Sequence, residues 1–150
     1  MQIIRIDKAQ GFLVYELFNK YRIFYKQASD IEIARNFIQA RLDNNESVIF
    51  TALTEDGTAV GFTQLYPKYS SMRVSKNWIL NDLYVEKDYR QQGIGGQLIK
   101  TTMNFARQNG ATFVELSTAV DNYTAQSLYE QTGFTKQPPE ADFFTYRIYV

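Results

Sequence analysis

Apolar residues recur along this chain with two periods, and each change of period marks the edge of an element. Residues 3–6, Ile-Ile-Arg-Ile, read as a short strand. Asp7 with Gln10 has the spacing of a capping box, and Leu13, Leu17, Tyr21 and Phe24 then share one helical face. A second box, Ser29-Asp30-Ile31-Glu32, predicts another helix with Ala34, Phe37, Ile38 and Leu42 on one side and Asp43-Asn44-Asn45 at its end. The run 48–53 is β-type, Asp56-Gly57 predicts a hairpin turn, and 59–65 predicts its return strand, closed or bent by Pro67. Residues 78–85 form a further β-type run. After the segment 86–96, a helix carries Leu98, Ile99, Met103, Phe105 and Ala106 mostly on one side and is capped by Asn109-Gly110. Residues 112–118 predict a strand, 125–131 a short helix ending at Gly133, and 143–150 an alternating aromatic terminal strand beyond the Pro138-Pro139 loop.

The resulting order, β-αα-βββ-α-β-α-ββ, suits one α/β domain over residues 1–150, a mixed sheet covered by helices on both faces. At this length roughly 68–70% of the unfolded chain's surface can be buried, so a core and an enclosed site are both attainable. Composition narrows the chemistry. There is no cysteine and no histidine, which excludes a disulfide framework, a Cys/His metal site, a thiol nucleophile and an imidazole base. Carboxylates, phenols, hydroxyls and backbone groups remain. Sixteen basic residues balance sixteen acidic ones, so net charge gives no reason to expect nucleic acid or an anionic membrane as a partner. With no cationic leader at the start and no apolar run of spanning length, the expected location is the cytoplasm.

The sharpest motif is Arg90-Gln91-Gln92-Gly93-Ile94-Gly95-Gly96, set between a predicted strand and a predicted helix. Glycines there permit positive φ and a close approach of backbone, so N–H groups and the helix dipole can converge on an anion such as a pyrophosphate. The segment lacks the Gly-Lys-Ser/Thr end of a P-loop and the third glycine of a dinucleotide fingerprint, so neither ATP nor NAD is favoured.

Arg-x-x-Gly-x-Gly following a strand that ends Asp82-Leu83-Tyr84-Val85 resembles the acetyl-coenzyme A signature of the GNAT superfamily of N-acetyltransferases. Residues 122–134, with Asn122 near a helix start, then Ala125, Leu128-Tyr129 and Gly133-Phe134, are similar to that family's second hallmark. The resemblance spans nearly the whole chain. It implies a mixed, mostly antiparallel sheet flanked by helices and acetyl-coenzyme A as cosubstrate, with no metal. It further implies that the backbone around Leu83, Tyr84 and Val85 binds the acetyl and pantetheine part, that residues Arg90 to Gly96 hold the pyrophosphate, and that Asn122 bonds the pantetheine arm. Tyr129 would be the general acid. Relatives often pair through C-terminal strands, so a homodimer is expected.

Physical chemistry reaches compatible roles. Attack of an amine on a thioester needs N–H donors for the developing oxyanion and a proton for the departing sulfur; a phenol of pKa ~10 is still protonated at neutral pH and can supply it. Without cysteine, an acetyl-cysteine route is closed and transfer is direct. The amine must first lose a proton, and Asp82, inside the otherwise apolar run 78–85, is the candidate base, since burial raises a carboxyl pKa. Asn81 stands where polyamine-acetylating relatives carry Glu, and it cannot act as a base. Tyr21, Phe24, Tyr25 and Tyr66 are candidates to line an acceptor groove, against the alternative that they are core. The expected acceptor is a small-molecule primary amine. Protein lysine or N-terminal acetylation, and a non-catalytic acyl-coenzyme A binding module, are the alternatives.

Overall fold

The computed structural model describes residues 1–150 and contains one five-stranded sheet in the order β1-β2-β3-β4-β5. The strands are β1 (Gln2–Arg5), β2 (Val48–Leu53), β3 (Ala59–Ser70), β4 (Ser75–Val85) and β5 (Val114–Glu115). The first four are antiparallel neighbours and β5 joins β4 in parallel, which gives the mixed, mostly antiparallel α/β class. Alternation on β2 sorts the core into two halves. Val48, Phe50 and Ala52 pack on one face with Leu98, Ile99 and Ala106 of α3 (Ile94–Gln108), while Ile49 points to the other face. There it meets Leu17 and Phe18 of α1 (Tyr15–Phe24) and Ala34 and Ile38 of α2 (Ile31–Asp43). Buried on both sides, β2 carries few polar residues for the same reason. The last helix, α4 (Tyr123–Gln131), packs through half-buried Leu128 and Tyr129.

Several boundaries differ from the sequence expectation. Asp7 and Gln10 close a turn: the Asp7 N–H donates to Gln10 and the Asp7 carboxylate accepts from Ala9, and a single 3-10 turn at Gly11–Leu13 intervenes before α1 begins. Asp30 rather than Ser29 caps α2, accepting from the Ile33 N–H at 3.1 Å, while the Ser29 hydroxyl accepts from Asn19 of α1. Pro67 does not close β3, which runs on to Ser70. Beyond Leu65 that strand has no β2 partner, and proline is tolerated on an edge.

The C-terminal expectation is corrected most. Only two residues of 112–118 pair as a strand, and nothing follows α4 in the sheet, so the final pair of strands is absent. Phe143, Phe144, Tyr146, Ile148 and Tyr149 are 79–90% exposed. A β-ladder requires a partner edge, and no edge in this chain receives these residues, so β propensity finds no expression here.

Candidate active site

The chemistry gathers where β4 parts from its neighbours. β5 pairs with β4 only at Trp78 and Ile79, so from Leu80 onward one edge of β4 is open. On the other side the register jumps from Leu80 opposite Leu65 to Asp82 opposite Gln64, which makes Asn81 a bulged residue. The bulge leaves Asn81 exposed and turns Asp82 inward, where it is only 2% exposed. The Glu86 N–H donates to the Val60 carbonyl, so alternation along the ladder aims the backbone groups of Asp82 and Tyr84 at β3 and those of Leu83 and Val85 at the open edge. The Val85 carbonyl on that edge accepts from Arg90 Nε at 2.8 Å.

Each carboxylate oxygen of Asp82 accepts from an amide: Oδ2 from Gln64 Nε2 at 2.6 Å and Oδ1 from Asn81 Nδ2 at 2.7 Å. Burial lifts the Asp82 carboxyl above the usual carboxylate range, and the hydrogen bonds from Asn81, Gln64 and Tyr21 pull against that rise. Tyr21 of α1 and Tyr66 of β3 face it. Burial first, and then the Asp82 charge, raise both phenols. The Tyr21 hydroxyl also donates to the carbonyl of bulged Asn81 at 3.3 Å. Gln64 was not among the residues read from the sequence as functional; a polar side chain within the apolar run 59–65 was the signal, and only strand register shows that it faces Asp82.

The α1 aromatics then lead across to α4. The Tyr21 and Tyr25 rings lie 4.9 Å apart, and Phe24 meets Tyr25 edge to face at 5.2 Å with more than half its surface exposed. Tyr25 is also close enough to Tyr129 to act on its titration: burial, then Tyr25, pushes the Tyr129 phenol up to about 12. The Tyr129 ring packs edge to face on Phe134 at 5.9 Å. Tyr21 and Tyr66 thus face Asp82, and Tyr25 continues from Tyr21 toward Tyr129, whereas Phe24 lies at the outer margin.

Below the open edge, a 3-10 turn at Lys87–Tyr89 leads into the glycine segment. Gln91 and Gly93 both have positive φ (60° and 81°), and Gly93 is the N-cap of α3 without any side-chain cap. A Cβ at Gly93 or at Gly96 would meet open space, while one at Gly95 would touch Leu128 Cδ2 at 3.2 Å, so Gly95 lets α4 close on α3. Gln97 is the first residue of α3 to bond back, to the Gly93 carbonyl, and the earlier N–H groups of the turn point outward as at any helix start. Arg90 does not extend toward that turn; its guanidinium lies over Tyr84 with the centroid 5.5 Å away. Gln92 bonds the Asp88 carbonyl, and Ile94 is core. Asn122 is the N-cap of α4, its Oδ1 accepting from Ala125 at 3.2 Å. No group of three or more acidic side chains is placed to hold a metal ion.

The site is an open strand edge leading into a glycine-rich helix start, with a buried acid beside it, in one α/β domain. Comparison with known proteins makes the class specific. Residues 13–134 match the Acetyltransferase (GNAT) family. The chain is similar to the uncharacterized N-acetyltransferase YhfO of Bacillus subtilis, 46% identical over 134 residues and 89% of each protein. It is also similar to a crystal structure of a probable acetyltransferase, at 37% identity and TM-score 0.88 over 100% of this chain and 98% of that one. The fold alone is shared with the aminoglycoside N-acetyltransferase AAC(6')-Iy in complex with CoA, at 19% identity and TM-score 0.78 over 98% and 95% of the two chains. The chain therefore belongs to the GNAT acetyltransferase family, and its enzyme class is that of an N-acetyltransferase. The family uses acetyl-coenzyme A.

Proposed function

We propose that this protein transfers the acetyl group of acetyl-coenzyme A directly to a primary amine of a small molecule, such as a polyamine or an amino acid. One observation carries the reading: a buried carboxylate, Asp82, sits on the strand whose free edge offers the N–H groups of Leu83 and Val85, with phenols on the far side. The residues fit the cosubstrate. The free N–H groups of Leu83 and Val85 suit an extended, amide-bearing arm, the open turn from Gly93 to Gly96 suits its phosphates, and the Asn122 Nδ2, which has no partner in the chain, suits a carbonyl of the arm. Arg90 would swing from Tyr84 to add its charge. Bound there, acetyl-coenzyme A supplies an acyl group activated as a thioester.

The chain's own groups do the rest. Asp82, its carboxyl raised by burial, accepts a proton from the acceptor's ammonium; Tyr21 and Tyr66 orient that ammonium beside it, with Tyr25 and Phe24 walling the entrance. Backbone N–H groups at the open edge hold the acyl oxygen as charge develops on it. Tyr129, fully protonated at neutral pH, donates to the departing sulfur and is reprotonated by the second proton that the acceptor nitrogen sheds as the amide forms. A buried acid faced by two half-buried phenols suits a compact cation that can lose its water to reach it.

Release of free coenzyme A, followed with a thiol reagent while a panel of amines is added, tests this reading; the absence of cysteine keeps the protein silent. Release that depends on a small amine is expected. Cosubstrate binding without release, or release only with protein acceptors, would overturn it. The exposed strand-type tail, residues 143–150, is assigned to a second copy of this chain, whose sheet edge would supply the missing ladder. Light scattering should find a dimer, and truncation after Asp142 should return it to monomer. A full-length monomer at micromolar concentration would refute the assignment.

A further inference from the structure

The hydrogen bonds on Asp82 do not stop at Gln64. The Ser47 hydroxyl, at the entry to β2, donates to Gln64 Oε1 at 2.8 Å, and Gln64 Nε2 donates onward to Asp82 Oδ2 at 2.6 Å. All three side chains are buried: Ser47 is 5% exposed, Gln64 not at all, Asp82 2%. A buried polar row crossing three strands is costly unless every member is satisfied, and here the bonds run in one direction toward the carboxylate. We infer that Ser47 and Gln64 are positioning residues for Asp82, Ser47 anchoring the Gln64 amide in place and Gln64 fixing Oδ2 as the acid takes up and releases a proton.

A glutamine amide has an acceptor end and a donor end, and nothing in its shape selects between them. Reversed, Gln64 would set its own oxygen against an ionised carboxylate. The carboxylate, an acceptor only, selects the donor end, and the Ser47 hydroxyl anchors the amide by bonding its other end. On the open side, Asn81 Nδ2 occupies Oδ1 from an exposed, bulged position, so it can move away for a substrate, whereas Gln64 has no room to leave. The division of labour follows: Gln64 is the fixed partner and Asn81 the displaceable one.

This inference rests on the reading of Asp82 as the base, and the test separates the two. The groups facing Asp82 are Tyr21 from α1, with Tyr25 behind it, Tyr66 from β3, with Arg41 of α2 acting on that phenol, and Asn81 on β4 itself. All of them stay in place in the variants. Gln64→Leu removes the donor and Gln64→Glu replaces it with a second acid. Either should move the acidic limb of kcat/KM upward by about 1–2 pH units, the worth of a hydrogen bond to a charged group. Ser47→Ala should move it by a smaller amount in the same direction, and Ser47→Thr, which keeps the hydroxyl, should restore it. The Asp82 carboxyl resonance in protein carrying isotope-labelled aspartate should titrate with the same shifts in the free enzyme. KM for acetyl-coenzyme A should hold, because the glycine segment is untouched. If Gln64→Leu does not fold, the serine pair alone decides. Folded variants whose profile and carboxyl titration superpose on those of the unaltered enzyme, while Asp82→Asn abolishes the limb, overturn the positioning role. A limb that survives Asp82→Asn overturns the base assignment itself, and the positioning role with it.

Discussion

Replacing Tyr129 with phenylalanine isolates one hydroxyl. Its ring packs on Phe134 at 5.9 Å, and burial and Tyr25, with no hydrogen bond, set the titration of its hydroxyl. Tyr129→Phe keeps the ring's packing and breaks no hydrogen bond, so it should change stability by no more than about 0.5 kcal/mol. The kinetic effect follows from two limits. With its phenol at about 12 against a thiol near ~8.5, complete proton transfer is uphill by roughly 3.5 pH units, or about 5 kcal/mol, although the burial that raises the phenol raises the thiol as well. Hydrogen-bond donation alone to a developing thiolate is worth about 1.5–3 kcal/mol, or about 10- to 160-fold in rate. A positioned general acid contributes about 10²–10⁴-fold. The ranges meet near 10², and we expect a loss of about 10²-fold in the single-turnover rate, with coenzyme A affinity unchanged. Steady-state rates would understate it if product release limits turnover. A folded variant with a single-turnover rate within about twofold of the unaltered enzyme would show that water or another group protonates the sulfur.

Three further outcomes are expected. Gly96→Ala adds a methyl in open space on the first turn of α3, so it should stabilise the fold through helix propensity by up to about 1 kcal/mol, read as a raised Tm, while weakening coenzyme A binding by calorimetry; unchanged affinity would place the cosubstrate elsewhere. Gly93→Val, at φ +81°, should cost about 1–2 kcal/mol of stability in thermal melts, even though its side chain meets nothing. The stability of Asp82→Asn relative to the unaltered protein should improve as pH rises from about 4 to neutral. A carboxyl raised by burial contributes its full stability below the ordinary aspartate pKa of ~3.9 and loses it as pH rises to the folded value, at about 1.4 kcal/mol per unit of displacement. The difference between the two proteins in thermal melts should thus move against the asparagine variant toward pH 4, and a difference independent of pH would mean that Asp82 is not raised.

The parts of this protein legible from its residues are those governed by neighbours along the chain. The buried run of β2 appears at its predicted limits because burial on both faces demands an uninterrupted apolar stretch. Positive φ at Gly57, Gly93, Gly110 and Gly133 falls where turns and helix ends were expected, since a residue without Cβ adopts that geometry at no steric cost. The strand-to-helix glycine segment and the two family hallmarks were readable for the same reason. Capping motifs were less secure: Asp7 and Ser29 had the right spacing for an N-cap, but a turn and a neighbouring aspartate satisfied the backbone instead.

Tertiary structure decided what depends on pairing between distant strands. The bulge at Asn81 sets which side chains of β4 face inward, and a slip of one residue would have exchanged Asn81 for Asp82 at the site. The Ser47, Gln64 and Asp82 row exists only because β2, β3 and β4 align at those positions, from residues as far as 35 apart. The tail shows the converse. Its alternating aromatics carry every local mark of a strand, yet a strand's hydrogen bonds belong to two segments at once, and local sequence holds only one of them.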